Sequence, residues 1–129
     1  MTNETNTHDC VFCKIVRGEL PAHKIYEDET YLAFLDIHPQ SAGHVQIIPK
    51  KHYRWVWDVP AAGTYFEVAQ KIARAEQKAF GVEAVFSRIM GDEVPHAHIW
   101  IFPNPHVNVS DPADFTGNAE KLRAALQRF

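Results

Sequence analysis

The chain has 129 residues with 46% of them hydrophobic, enough to bury a core within the size of one ordinary domain. Its formal net charge of −3 excludes the basic face that nucleic-acid binding needs, so no nucleic-acid partner is expected. No run of eighteen apolar residues exists, which excludes a spanning helix, and no membrane partner is expected.

Taken in chain order, Met1 to Asp9 is polar and lacks an apolar stretch of the signal-peptide kind. It reads as a flexible tail (residues 1–9) before a single domain (10–129), and the location expected is cytoplasmic. Cys10 and Cys13 follow as Cys-x-x-Cys. In a reducing compartment this pair points to metal binding or redox chemistry rather than to a structural disulfide. The chain also carries 8 histidines, the usual partners of cysteine in zinc sites and common catalytic groups.

A short helical turn is predicted near Phe12–Val16, closed by Gly18. Lys24–Glu27 and Tyr31–Asp36 read as two strands joined by the turn residues Asp28-Glu29-Thr30. Ile37 to Gly43 is a loop punctuated by Pro39 and Gly43, and His44–Pro49 is a third strand. From Tyr65 to Phe80 the period is helical, with Tyr65, Val68, Ala69, Ile72, Ala75 and Ala79 on one face. Glu76 interrupts that face, and Gly81 is a natural stop. Glu83–Met90 and His96–Phe102 read as a fourth and a fifth strand, and Gly117–Gln127 as a closing helix. Strands with one long helix between them predict an α+β fold around an antiparallel sheet.

The chemistry concentrates in Pro95-His96-Ala97-His98-Ile99-Trp100. On a strand, His96, His98 and Trp100 share one face, while Ala97, Ile99 and Ile101 supply a small apolar face for the core. Imidazole is a good nucleophile toward phosphorus and a good leaving group afterwards. By itself, His-x-His on a strand serves as readily as a pair of metal ligands, or as a plain polar face.

That segment resembles the signature of the histidine triad (HIT) superfamily, His-x-His-x-His with apolar spacers. The resemblance extends in order along the chain. It includes Cys10-Val11-Phe12-Cys13-Lys14-Ile15 with Gly18-Glu19-Leu20-Pro21-Ala22, then Lys24 to Asp28 and Leu32 to Ile37. It continues through Gly43-His44 and Ile47-Ile48-Pro49-Lys50-Lys51-His52. The resemblance implies a HIT-like fold, with a five-stranded antiparallel sheet, one long central helix and a short C-terminal helix. It implies a nucleotide hydrolase or nucleotidyl transferase acting at an α-phosphate, through a nucleotidyl-histidine intermediate on His98. The partner implied is a purine nucleotide or nucleotide conjugate. A homodimer is implied too, with the long helix and the fourth strand at its two-fold axis.

By family position, Val11, Phe12, Ile15, Phe34 and Ile37 would form an apolar slot for the base. Asp36 would accept hydrogen bonds from ribose hydroxyls. Ser87, Glu93 and Val94 fall where phosphate contacts are made, the last two through backbone N–H because an acidic side chain repels an anion. A zinc-binding subset of the family uses a Cys-x-x-Cys pair, a histidine after the Pro-Lys stretch and the first signature histidine. Those positions are filled by Cys10, Cys13, His52 and His96, which implies a structural Zn²⁺ site of the closed Cys₂His₂ kind. His96 and His98 together on an open catalytic metal is the competing arrangement. Of the other histidines, His38 and His44 flank the expected ribose site.

Two departures from the pattern stand out. Trp100 occupies the third signature position, where a histidine normally helps to hold the phosphate or leaving group. Tryptophan offers one N–H donor and nothing that titrates. Its ring is suited to stacking on a base or leaving group, or to plugging the pocket, which leaves a catalytically weak nucleotide-binding or interaction protein with a structural zinc as the alternative function. The loop from Ser87 to Glu93 is also shorter and more acidic than in many members. There Arg88 is either a source of positive charge near the phosphate or a solvated surface side chain, the usual state of arginine. The aromatic run Tyr53-Arg54-Trp55-Val56-Trp57 offers core, a dimer contact or a wall on the leaving-group side.

Overall fold

The computed structural model describes residues 9–127, so most of the expected tail (residues 1–8) and the last two residues lie outside the described part. The elements are α1 (Val11–Val16), β1 (Lys24–Glu27), β2 (Tyr31–Leu35), β3 (Val45–Pro49), a 3₁₀ turn (Val56–Asp58), α2 (Ala62–Phe80), β4 (Val85–Arg88), β5 (Ile99–Pro103) and α3 (Phe115–Leu126). The five strands form one antiparallel sheet in the order β1-β2-β3-β5-β4. The α+β architecture is the one the sequence predicts.

The sheet is covered on both faces, and β2 and β3 are buried along their whole length. Alternation along β2, β3 and β5 sends Tyr31, Ala33, Leu35, Val45, Ile47, Ile99 and Ile101 to one side, where Tyr65, Val68 and Ile72 of α2 and Leu122 of α3 complete the main core. Leu32, Phe34 and Ile48 go to the other side and pack under Phe12 and Ile15 of α1. Leu32 and Ile48 are register partners with no exposed surface. Truncating either to alanine costs about 2–5 kcal/mol.

Element ends differ from the sequence-based expectation where local chemistry outweighs periodicity. α2 begins at Ala62 rather than Tyr65, because its first turn is mostly exposed and carries no apolar stripe to betray it. α3 begins at Phe115, since Asp114 caps it through a 3.1 Å bond from the Gly117 N–H. β4 is confined to Val85–Arg88, and β5 starts at Ile99. His96 and His98 therefore precede the strand they are predicted to occupy. Ala97 N–H leaves the sheet ladder and donates to the Tyr53 carbonyl at 2.7 Å.

Candidate active site and metal centre

α1 is short, and its start is set by a cysteine. The Cys10 side chain caps the helix by accepting the Cys13 N–H at 3.3 Å. Positions three apart on a helix share a face, so both sulfurs point at the stretch before β5. There Cys10 Sγ lies 3.2 Å from His96 Nδ1, and Cys13 Sγ lies 3.3 Å from His52 Nδ1 and 3.5 Å from His96 Nδ1. All four side chains are buried, and their ligand atoms fall within 4.8 Å of one another.

The donor set fits zinc. Tetrahedral bonds of ordinary length place a sulfur and a nitrogen ligand roughly 3.5 Å apart, close to the separations found. His96 also donates its other ring nitrogen, Nε2–H, to the Pro49 carbonyl at 2.9 Å. That backbone bond fixes the tautomer with Nδ1 as the lone-pair donor, a common support for a ligating histidine. Burial first, then the hydrogen bond and charge of Cys10, push the Cys13 thiol up to about 12, and burial pushes the His96 imidazole down to about 4. Neutral imidazole is ready to ligate, whereas the thiols release their protons to a metal.

His98 stays outside this cluster. Its Nδ1–H donates to the His96 carbonyl at 2.7 Å, which leaves Nε2 with the lone pair. Phe12 presents its ring edge-on to His96 and to His98, with centroids 5.7 and 5.4 Å away. One phenyl ring thus separates a metal-type histidine from a free one.

His98 lines a cavity of about 860 Å³ on the α1 side of the sheet. Val11, Phe12, Ile15, Phe34 and Ile37 are among its apolar lining residues. Asp36, Glu93, Val94 and Trp100 line it as well. Ser87 does not. It pairs with Ile101, whose side chain faces the main core, so alternation turns Ser87 away from the cavity and turns Arg88, the register partner of Trp100, into it.

Asp36 is held from three directions. Oδ1 accepts the His38 N–H at 2.8 Å, Oδ2 accepts Gln46 Nε2 at 2.9 Å, and His44 Nε2 stands 3.6 Å from Oδ2. Gln40 N–H donates to His44 Nδ1 at 3.0 Å, so the imidazole proton sits on the side that faces Asp36. Burial pushes His44 down to about 4 against the pull of the carboxylate, so it stays neutral near pH 7. Gln46 is a cavity residue the sequence reading does not single out. Its signal is a lone amide in an otherwise apolar strand, in phase with Ile48 on the α1 side.

Trp100 packs edge-on to His44 with ring centroids 4.7 Å apart. Its Nε1 is buried and has no hydrogen-bond partner among the described residues. Trp55 carries the Arg54 guanidinium 3.9 Å from its ring centroid, and Arg54 donates to the Gly91 carbonyl. This pair braces the loop that leads to the signature, while Trp57 is 71% exposed.

A family model described as the HIT domain matches residues 17–107. The chain belongs to the HIT family. This HIT chain is 38% identical over 109 residues to the adenylylsulfatase HINT3 of Arabidopsis thaliana, covering 78% of itself and 55% of that protein. It is 35% identical over 97 residues to the adenosine 5'-monophosphoramidase HNT1 of Saccharomyces cerevisiae, covering 73% of itself and 61% of the relative. Among solved structures, a zinc-bound histidine triad family protein from Mycobacterium smegmatis superposes with a TM-score of 0.84 at 35% identity, covering 95% of this chain and 96% of the other. The two chains thus share the HIT fold over nearly their whole lengths. Among the described residues, no helix is long and apolar enough to cross a membrane.

Proposed function

We propose that this HIT chain is a nucleotide hydrolase or nucleotidyl transferase that works at an α-phosphate through His98. The observation that carries the reading is the 2.7 Å bond from His98 Nδ1–H to the His96 carbonyl, inside the cavity that also holds Asp36. With Nδ1–H so engaged, Nε2 is the nitrogen left to attack.

In the proposed sequence, Nε2 attacks the α-phosphorus. The bond from phosphorus to the leaving group breaks, and the leaving group departs with its electron pair. Water or another acceptor then attacks the same phosphorus and releases His98. The base lies in the apolar slot of Val11, Phe12, Ile15, Phe34 and Ile37, and Asp36 takes the ribose hydroxyls. Backbone N–H groups of Glu93 and Val94 face the phosphate oxygens, where preformed donors stabilise developing charge. The substrate class is a purine nucleotide or nucleotide conjugate. This agrees with the two relatives, whose names both specify an adenylyl or adenosine monophosphate group.

Cys10, Cys13, His52 and His96 would hold a structural zinc, which ties α1 to the signature and supplies no reacting atom. We further propose a cytoplasmic homodimer. The exposed Phe66 of α2 and Phe86 of β4 support it, because they offer apolar surface on the two elements expected at the axis.

Intact mass after incubation with adenosine 5'-phosphoramidate tests the reading. The expected result is one nucleotidyl group on wild-type protein and none on His98→Ala, with zinc content and melting unchanged. Full turnover by His98→Ala would overturn the assignment. A slower, nucleotide-binding role is the second reading, and the buried, unpartnered Nε1 of Trp100 favours it. Its N–H donates one hydrogen bond, which suits binding, but unlike a histidine it has no proton to pass to a leaving group. Tight AMP binding without measurable turnover would decide for this second role.

A further inference from the structure

Arg88 is an exposed arginine on the wall of the His98 cavity, with no ion pair among the described residues. Among the described residues it is the only lysine or arginine that lines the His98 cavity. Asp36, Asp92 and Glu93 line the same space, yet among the described residues no ion pair joins any of them to Arg88. The guanidinium has five N–H donors in a planar fork. Among the described residues its side chain makes one recorded contact, with its carbon 5.9 Å from the centroid of the Trp100 ring.

The placement is set by the sheet. Arg88 and Trp100 are register partners, and Trp100 follows His98 by two positions. His98 and Arg88 both line the cavity, so the guanidinium and an atom bound at Nε2 share one space. Arg88's charge also extends to His44: after burial, it is what opposes protonation of that imidazole.

Resting on the reading of this cavity as a nucleotide site, we infer that Arg88 is the phosphate-binding residue of this chain and that Trp100 is the platform that positions it. The guanidinium grips two non-bridging oxygens of the nucleotide phosphate as a fork, in place of the third histidine that the chain lacks. A planar guanidinium stacks on indole and still presents its N–H edge outward, which a lysine ammonium cannot do. Trp100 then acts through Arg88, and the position keeps its part in phosphate binding by a different chemistry.

Affinities for AMP and for adenosine, measured by calorimetry on the full chain, isolate the phosphate contribution. Arg88→Gln is expected to weaken AMP about 10- to 100-fold, the size of a lost charge-assisted pair, and to leave adenosine binding unchanged. Arg88→Lys should recover only part of the loss, because a point charge lacks the fork. Trp100→Phe, which keeps an aromatic face, should retain most of the preference for AMP over adenosine. Trp100→Leu should lose that preference even where adenosine still binds, a result that mere structural damage would not produce. An unchanged AMP-to-adenosine ratio in Arg88→Gln would overturn the inference while leaving the nucleotide site standing. A wild-type protein that binds adenosine but not AMP, or neither, would overturn both.

Discussion

Glu76 sits on the buried face of α2 with no exposed surface, and neither carboxylate oxygen has a hydrogen-bond partner among the described residues. Burial therefore holds its carboxyl well above the ordinary 4.5. Between the two values the folded chain keeps a proton that the unfolded chain gives up, so stability falls as pH rises from about 4.5. Glu76→Gln stays neutral at every pH. It is expected to exceed wild type in stability at pH 8 by at least about 1 kcal/mol, the equivalent of one pKa unit, and to converge on it near pH 4. Urea melts at both pH values check this, and an equal gap at both would contradict it. At this same scale, the grouping of Cys10, Cys13, His52 and His96 and the place of His98 on the cavity wall follow what the family resemblance implies, with Cys-x-x-Cys and His-x-His as the residues' own signal. The exchange of Ser87 for Arg88 is not legible in the sequence. β4 is largely exposed, so no apolar alternation marks which of its faces meets the cavity.

The loop between β2 and β3 depends on an element far from it in sequence. Asp36 and His44 close that loop, with Asp36 N–H donating to the His44 carbonyl at 2.9 Å and His44 N–H to Ser41 at 3.1 Å. Gly43 permits the turn at φ +84°, and a Cβ there would meet the Phe80 ring of α2 at 2.4 Å and Glu76 Oε1 at 2.9 Å. Gly43→Ala combines a left-handed conformation with overpacking, a cost of about 2–4 kcal/mol. It is expected to lower the melting temperature and, by displacing Asp36, to weaken adenosine binding as well. A variant with wild-type melting would show that the end of α2 yields freely. Gly43 as loop punctuation is legible in the sequence, but the passage of α2 beneath it is not, because periodicity reports a helix's faces and not its neighbours. The start of β5 is obscured in a similar way. His96-Ala97-His98 has strand-like alternation, yet side-chain bonds to Pro49 and Cys10 and the backbone bond to Tyr53 hold it away from the ladder.

At the scale of the molecule, the four buried ligands join three regions that the chain visits at long intervals. The contact of Cys13 with His52 closes 39 residues and that of Cys10 with His96 closes 86. A metal that ties these segments restricts the unfolded chain as a cross-link does, and its binding energy adds to folding. It would also hold α1 over the second core, where Phe12 and Ile15 cover Leu32, Phe34 and Ile48 and at the same time wall the cavity. Removing zinc with a chelator is therefore expected to lower the melting temperature by at least roughly 10 °C, since a chain of this size moves about 3–6 °C per kcal/mol. Cys13→Ser should melt low from the outset and show little further response to chelator. Adenosine affinity should fall with zinc loss, because the apolar slot loses its α1 wall, while His98 still accepts a nucleotidyl group in whatever fraction remains folded. That last outcome separates a structural ion from a catalytic one. A reaction that stops on chelation while the fold persists, and resumes with added metal, would place the metal at the phosphorus instead.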